Sequence, residues 1–363
     1  MGYEAVKGGH EAIENACRLF VYERVKNVKT PIKVEQIKDE LYLLVDRVMS
    51  EASLYAPQLA ALAIKQAAGD CFEAVFLLRA YRTTLPRLGY SLPIDTRNMR
   101  VIRRISAAFK EIPGGQILGP TSDYTLRLLD FTLFNENKKT INKFINEFLS
   151  ELDLDVEEFP MNFPKIVDIL RNEGLLVENF EGDRTFSDIT KQPIIFPAKR
   201  CEVLQAMSRG ETGGLLLLAY SNMRGYGDIH PTIGELRVGY VPVYIKENLL
   251  SGEVISIGEI KVTEAEIIAK FEKQEGKPSF TLGYGLCFGH NEIKAISMAV
   301  LDRAMQSKNP QMISENQEFV LAHIDGVESM GFCNHYKLPH YVTFQSDLDR
   351  LRKAQKEYKE RHK

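Results

Sequence analysis

The chain contains no tryptophan, only five cysteines, and no surplus of positive charge: 46 Lys plus Arg stand against 49 Asp plus Glu. A net charge of -3 gives no basic footprint for phosphate-backbone binding, so bulk nucleic-acid recognition is disfavoured. The cysteines (Cys17, Cys71, Cys201, Cys287, Cys333) are odd in number and never closer than 46 residues. That spacing offers neither a disulfide framework nor a CxxC ligand pair, and an iron-sulphur cluster held by this chain alone is excluded. Long apolar runs are missing too. The longest charge-free stretch, residues 278–291, is 14 residues long, short of the roughly 18 needed to span a bilayer. Residues 1–10 lack a basic start, an apolar stretch and a small-residue cleavage site, which leads us to expect a cytoplasmic protein.

What is present is ordinary globular material, 44% hydrophobic and 26% charged over 363 residues, enough for a sizeable core. Residues 3–6 read as a short strand, followed by Gly8-Gly9 and a helix carrying Ala12, Ile13, Ala16, Leu19 and Phe20 at helical spacing. Residues 34–81 stay helical, with Gly69-Asp70 as the internal breaker, and suggest two or three packed helices. A helix is expected from Pro93 to Pro113, with Ile102, Ile105, Phe109 and Ile112 buried and Arg97, Arg100, Arg103 and Arg104 opposite. Those arginines are either a solvated face or a triphosphate- or partner-binding one. A further helix is expected over 138–152, and the acidic, Pro-containing stretch 151–164 reads as a linker.

The second half has another texture, because 13 of the 25 glycines lie between Gly210 and Gly289. Strands are expected at 215–220, 235–240, 254–262, 280–286 and 319–324, with helices at 291–305 and 347–363. The class is α+β: a mainly helical part (1–155), a mixed-sheet part with flanking helices (156–346) and a charged C-terminal helix (347–363).

Three segments could carry chemistry. In 331–340, His335 and His340 lie five apart with a proline between, so two imidazoles could converge on one metal ion, or simply be surface histidines. In 283–291, Gly283, Gly285 and Gly289 follow a strand and open a helix, which suits an anion at a helix N-terminus or a plain Gly-rich turn. In 221–232, a polar loop holds Arg224, Asp228 and His230. Arg224 could hold a phosphate, Asp228 could oppose developing positive charge, and His230 could act as acid or base, against the alternative of a solvated turn. The Ala322-His323-Ile324-Asp325-Gly326 segment is read as a strand leaving at a turn.

Together, residues 3–9 (YEAVKGG), 114–124 (GGQILGPTSDY), the run GGLLLLAYSNMRGYGDIHPTIGELRVGYVPV from Gly213, FGHNEIKAISMAVLDRAM from Phe288 and HYKLPHYVTFQSDLDRLR from His335 closely resemble the PhnI family of bacterial carbon-phosphorus lyase subunits. The resemblance covers nearly the whole chain. It implies a member of a cytoplasmic complex that displaces adenine from ATP by an alkylphosphonate at ribose C1', giving α-D-ribose 1-methylphosphonate 5-triphosphate, with subunits G, H and L. Alone, such a chain is implied to act as a nucleosidase, with water replacing phosphonate. The chemistry then asks for a carboxylate near C1' and an acid for the departing purine, for which Asp228 and His230 are the candidates. Arg224, Gly283, Gly285 and Gly289 are candidates for holding substrate phosphates. The resemblance also implies that His335 and His340 bind a zinc ion at the interface with subunit J, which performs the radical step, and that subunit K is accessory. A structural core that lends metal ligands to a shared site is the alternative reading.

Overall fold

The computed structural model describes residues 9–152, 163–177, 186–224, 231–246, 252–274 and 277–362. The expected strand at 3–6, the 155/156 boundary, Asp228 and His230 lie outside them, as does most of the expected linker at 151–164. Helix α1 (His10–Val25) leads into four short helices, α2 (Val34–Glu40), α3 (Tyr42–Ala52), α4 (Pro57–Gln66) and α5 (Cys71–Thr83). The punctuation between α4 and α5 falls where the sequence places it. Gly69 adopts φ +92°, which a side chain would strain, and the Asp70 carboxylate accepts the Glu73 N–H to start α5. These helices close a core of their own around Ile37, Val45, Val48, Met49, Ile64, Val75 and Leu78.

The chain then runs through β1 (Arg100–Ile105), α6 (Lys138–Glu151), α7 (Val167–Asn172), β2 (Leu176–Val177), α8 (Arg200–Arg209) and α9 (Thr212–Met223). Three long strands follow, β3 (Thr232–Lys246), β4 (Val254–Gln274) and β5 (Lys277–Phe288), and the described chain closes with α10 (Glu292–Met305), α11 (Gln317–His323), α12 (Gly326–Tyr336) and α13 (Tyr341–Arg361). The five strands form one sheet in the order β1-β3-β4-β5-β2, in which only the two-residue β2 runs parallel to its neighbour. The fold is therefore α+β, as expected. No helix of the described residues is long and apolar enough to cross a membrane.

Residues 34–81 hold four helices, not two or three, because the chain breaks at Leu41 between α2 and α3 as well as before α4 and α5. Three further expectations are corrected. Residues 215–220 are helical, in α9, because the Glu211 carboxylate accepts the N–H groups of Gly213 and Gly214 and nucleates a helix across Leu215. A continuous apolar run fits either element. Here Leu215 and Ala219 are buried while Leu217 is 68% exposed, a one-sided pattern. Residues 319–324 likewise belong largely to helix α11, started by the Asn316 side chain accepting the Phe319 N–H. Asp325 then opens α12 by accepting from Val327 and Glu328 instead of leaving a strand. The helix expected from Pro93 is only a single 3-10 turn, Thr96–Asn98, before β1. In β1 a register shift between Val101 and Arg103 disturbs the pairing with β3, and both Arg103 and Arg104 are fully buried rather than solvated.

Candidate functional site

One face of the sheet packs against α10, and its glycines are explained by that contact. A methyl group on Gly283 would lie 2.0 Å from the Ala299 carbonyl oxygen, and one on Gly285 would lie 2.0 Å from that of Ala295. Both glycines let the helix backbone approach the strand, and neither lines the cavity described below. Gly289 has φ +74° and its Cα is pressed against Asp46, with its N–H donated to the Lys261 carbonyl. Close packing therefore accounts for all three residues expected to cradle phosphate.

The opposite face carries the charge. Register places Arg237 of β3 opposite Glu264 of β4, Glu235 opposite Glu266, and Tyr284 of β5 opposite Glu266. Lys165, just before α7, reaches onto this face and donates to Glu264 Oε1 at 2.7 Å and Glu266 Oε1 at 3.2 Å. Glu264 Oε1 also accepts from the hydroxyls of Thr96 (2.7 Å) and Tyr284 (2.9 Å). Arg237 Nε lies 3.5 Å from Glu264 Oε2. Arg104 pairs with Glu235 at 2.6 Å and donates to the Pro113 and Pro164 carbonyls.

The two glutamates on β4 are pushed in opposite directions. Burial raises Glu266 to about 7, with the neighbouring Glu264 and Glu235 charges adding to the shift against the pull of Lys165. Burial also opposes ionisation of Glu264, but Lys165 and Arg237 overcome it and hold this carboxyl below its ordinary value. Burial and the Glu264 charge push the Tyr284 hydroxyl well above its ordinary range, so it stays a donor. Two carboxyls split in this way on one strand are a mark of sites that handle charge or protons.

A cavity of about 660 Å³ opens beside this cluster. Ile94, Val241, Ile260, Val262, Leu286 and Phe288 supply an apolar floor. Thr96, Lys165 and Tyr284 close one end, Arg97 and Arg171 stand among its lining residues, and Ser50, Ser53 and Ser208 face it from the helices. The Tyr284 N–H turns away from β4 to the Asp302 carboxylate. Behind the serines, wholly buried Lys294 donates to Ser50 Oγ (2.8 Å) and the Ser208 carbonyl (2.6 Å), and burial lowers its ammonium to about 8.

The sequence-predicted residues fall elsewhere. Arg224 is exposed at the C-terminal end of α9, where its N–H caps Tyr220. The strand after that loop begins at Thr232, roughly 30 Å along β3 from Val241 at about 3.4 Å per residue. His335 and His340 do come together: their Nε2 atoms are 3.3 Å apart, at the exposed C-terminal end of α12. The Nδ1–H of His340 donates to the Leu338 carbonyl at 2.6 Å, which leaves Nε2 as the lone-pair nitrogen. Among the described residues no group of three or more His, Cys, Asp or Glu is poised for a metal ion. Reading the sequence missed Lys165, Glu264, Glu266 and Tyr284. The one available signal was Glu264 and Glu266 two apart between apolar neighbours, which puts two acids on one face of a strand.

Comparison with known proteins agrees with the resemblance. A family model described as bacterial phosphonate metabolism protein (PhnI) matches residues 2–358. The chain is 54% identical to a putative C-P lyase subunit protein HtxH of Stutzerimonas stutzeri, covering 98% of this chain and 96% of that one. It is also 46% identical to the alpha-D-ribose 1-methylphosphonate 5-triphosphate synthase subunit PhnI of Rhizobium meliloti (strain 1021), over 98% and 95% of the two chains. The subunit of the same name from Escherichia coli (strain K12) is 46% identical over 98% and 99%. With the match running nearly end to end, the chain belongs to the PhnI family of bacterial phosphonate metabolism proteins.

Proposed function

We propose that this chain is the subunit that displaces adenine from ATP by an alkylphosphonate at ribose C1', forming α-D-ribose 1-methylphosphonate 5-triphosphate, and that alone it releases adenine with water as nucleophile. The names of two relatives state that product. The observation that carries the reading is the cavity, whose apolar floor suits a purine ring while Lys165, Thr96, Tyr284, Arg97 and Arg171 suit the polar groups of sugar and phosphates. Breaking the glycosidic bond leaves positive charge on the ribose and an electron pair on the purine nitrogen. In this proposal a carboxylate opposes that charge and an acid protonates the base, roles for which Asp228 and His230 are the sequence candidates, while the cavity's own polar groups and not the packed glycines hold the phosphates.

Subunits G, H, J and L, with K as accessory, are the proposed partners in the cytoplasm. Exposed apolar side chains support partner docking: Leu19, Phe20 and Tyr22 on α1, and Phe144, Phe148 and Leu149 on α6. His335 and His340 would hold a zinc ion shared with subunit J. Their 3.3 Å Nε2 separation equals what two nitrogens about 2.0–2.1 Å from a tetrahedral zinc subtend, so the donors fit half of a site. Bound there, zinc would supply Lewis-acid polarisation of a phosphoryl oxygen.

The test is chromatographic product analysis of the purified chain with ATP, with and without G, H, L and methylphosphonate. Adenine and a ribose triphosphate are expected from the chain alone, and the phosphonate adduct with all partners. No adenine under either condition refutes the proposal.

A further inference from the structure

We propose that the Lys165 end of the cavity binds a tetrahedral oxyanion, a phosphonate or phosphate group, and that Glu266 takes up a proton when it does. This rests on the function proposed above and assigns the anionic part of the substrates to a place within the cavity.

On this sheet face three cations, Arg104, Arg237 and Lys165, meet three carboxylates, Glu235, Glu264 and Glu266. Arg104 and Glu235 close on each other and on main-chain groups, since the second Glu235 oxygen accepts the Ile166 N–H. Glu264 accepts three hydrogen bonds on one oxygen, from Lys165, Thr96 and Tyr284, and its other oxygen lies 3.5 Å from the Arg237 guanidinium. Glu266 is different. Only one of its oxygens meets Lys165, the other has no hydrogen-bond partner, and the residue is 3% exposed. A buried carboxylate oxygen without a donor is costly, whereas a protonated carboxyl is not charged at all.

With Glu266 protonated the cluster carries one net positive charge. Of its three cations only Lys165 lines the cavity, and it uses two of its three N–H donors on the glutamates. One negative charge of an oxyanion beside Lys165 balances that excess, and the Thr96 and Tyr284 hydroxyls border the same end. Every group facing Glu266, namely Glu235 from β3, Glu264 from β4, Tyr284 from β5 and Lys165, is accounted for in this balance. Burial places the proton uptake near neutral pH. Arg97 and Arg171 line the cavity but both lean on Asp168, at 3.6 and 2.5 Å.

The probe is sulfate, a tetrahedral oxyanion that does not titrate near neutrality, followed by calorimetry on the full chain across the neutral and mildly alkaline range. Sulfate affinity is expected to fall about tenfold per pH unit above the Glu266 transition, with uptake of one proton seen as a buffer-dependent heat. In the isosteric Glu266→Gln variant, sulfate should bind with an affinity independent of pH, and in Lys165→Met binding should be lost, with circular dichroism reporting the fold of each. A pH-flat affinity in the unmodified chain, or undiminished binding in a folded Lys165→Met variant, overturns the proposal. Competition by methylphosphonate or by inorganic triphosphate then decides which substrate group takes the place. Adenine release is measured on the same preparations. Release together with a pH-flat sulfate affinity sinks this inference alone, whereas proton-coupled binding without any release sinks the function proposed above.

Discussion

Replacing Arg104 by methionine tests whether the β1 arginines are structural. The guanidinium is wholly buried, pairs with a Glu235 that is itself 2% exposed, donates to the Pro113 and Pro164 carbonyls, and lies 4.9 Å from the Phe163 ring centroid. Arg104→Met removes one partner of a buried pair and strands the Glu235 carboxylate, which costs about 3–5 kcal/mol. The double variant Arg104→Met/Glu235→Gln removes the stranded charge, and about 1–2 kcal/mol should remain for the carbonyls of Pro113, Gly115 and Pro164 left without their donor. The assay is urea unfolding followed by circular dichroism, with equal slopes confirming that only stability changed. The single variant should therefore be the less stable of the two. A loss below about 1 kcal/mol in the single variant, or a double variant as unstable as the sum of the singles, would refute the buried-pair argument.

Gly285→Ala should cost about 1–3 kcal/mol or more in the same assay, because its methyl meets the Ala295 carbonyl oxygen at 2.0 Å and α10 must shift; an unchanged midpoint would refute the packing account. Glu266, whose folded carboxyl is raised to about 7 by burial, holds its proton in the native state over a range where the unfolded chain has released it. Its contribution therefore falls as pH rises from about 4.5 to about 7 and is constant above, and the stability difference between the unmodified chain and Glu266→Gln should decline across that window. Lys294 has the opposite sign: burial lowers it to about 8, so stability should rise between about pH 8 and 10.5, and Lys294→Met should remove that rise in unfolding measurements. His335→Ala should abolish zinc retention in equilibrium dialysis while thermal unfolding is unchanged, since the ring is exposed and packs only at the end of α12. Zinc retained at full stoichiometry would remove the pair from the metal site.

Elements with one clean period were legible in the sequence. The helix stripes of α2 to α5, the Gly69-Asp70 break and the alternation of Leu236, Val238 and Tyr240 in β3 report local geometry, because each side chain's direction follows from the backbone repeat. Leu215–Leu218 defeated that reading, since an all-apolar run has no period, and the helix there depends on a cap from Glu211. Arg103 and Arg104 defeated it as well. Two adjacent arginines look solvated until partners from distant segments are known: Asp123 and Glu292 for the first, Glu235 and the carbonyls of Pro113 and Pro164 for the second.

The sequence by itself determined the family and the α+β class, and it offered the convergence of His335 with His340, which lie close along the chain on either side of one tight turn, as one of two readings. Only the tertiary structure decided that Gly283 and Gly285 serve helix packing, and that Lys165, Glu264, Glu266 and Tyr284 meet in one cluster beside a cavity. Lys165 and Glu264 are 99 positions apart, and nothing local distinguishes a lysine on the surface from one held between two buried glutamates. Protonation behaviour follows burial and neighbours, which arise only when the strands pair and the segment before α7 folds across them.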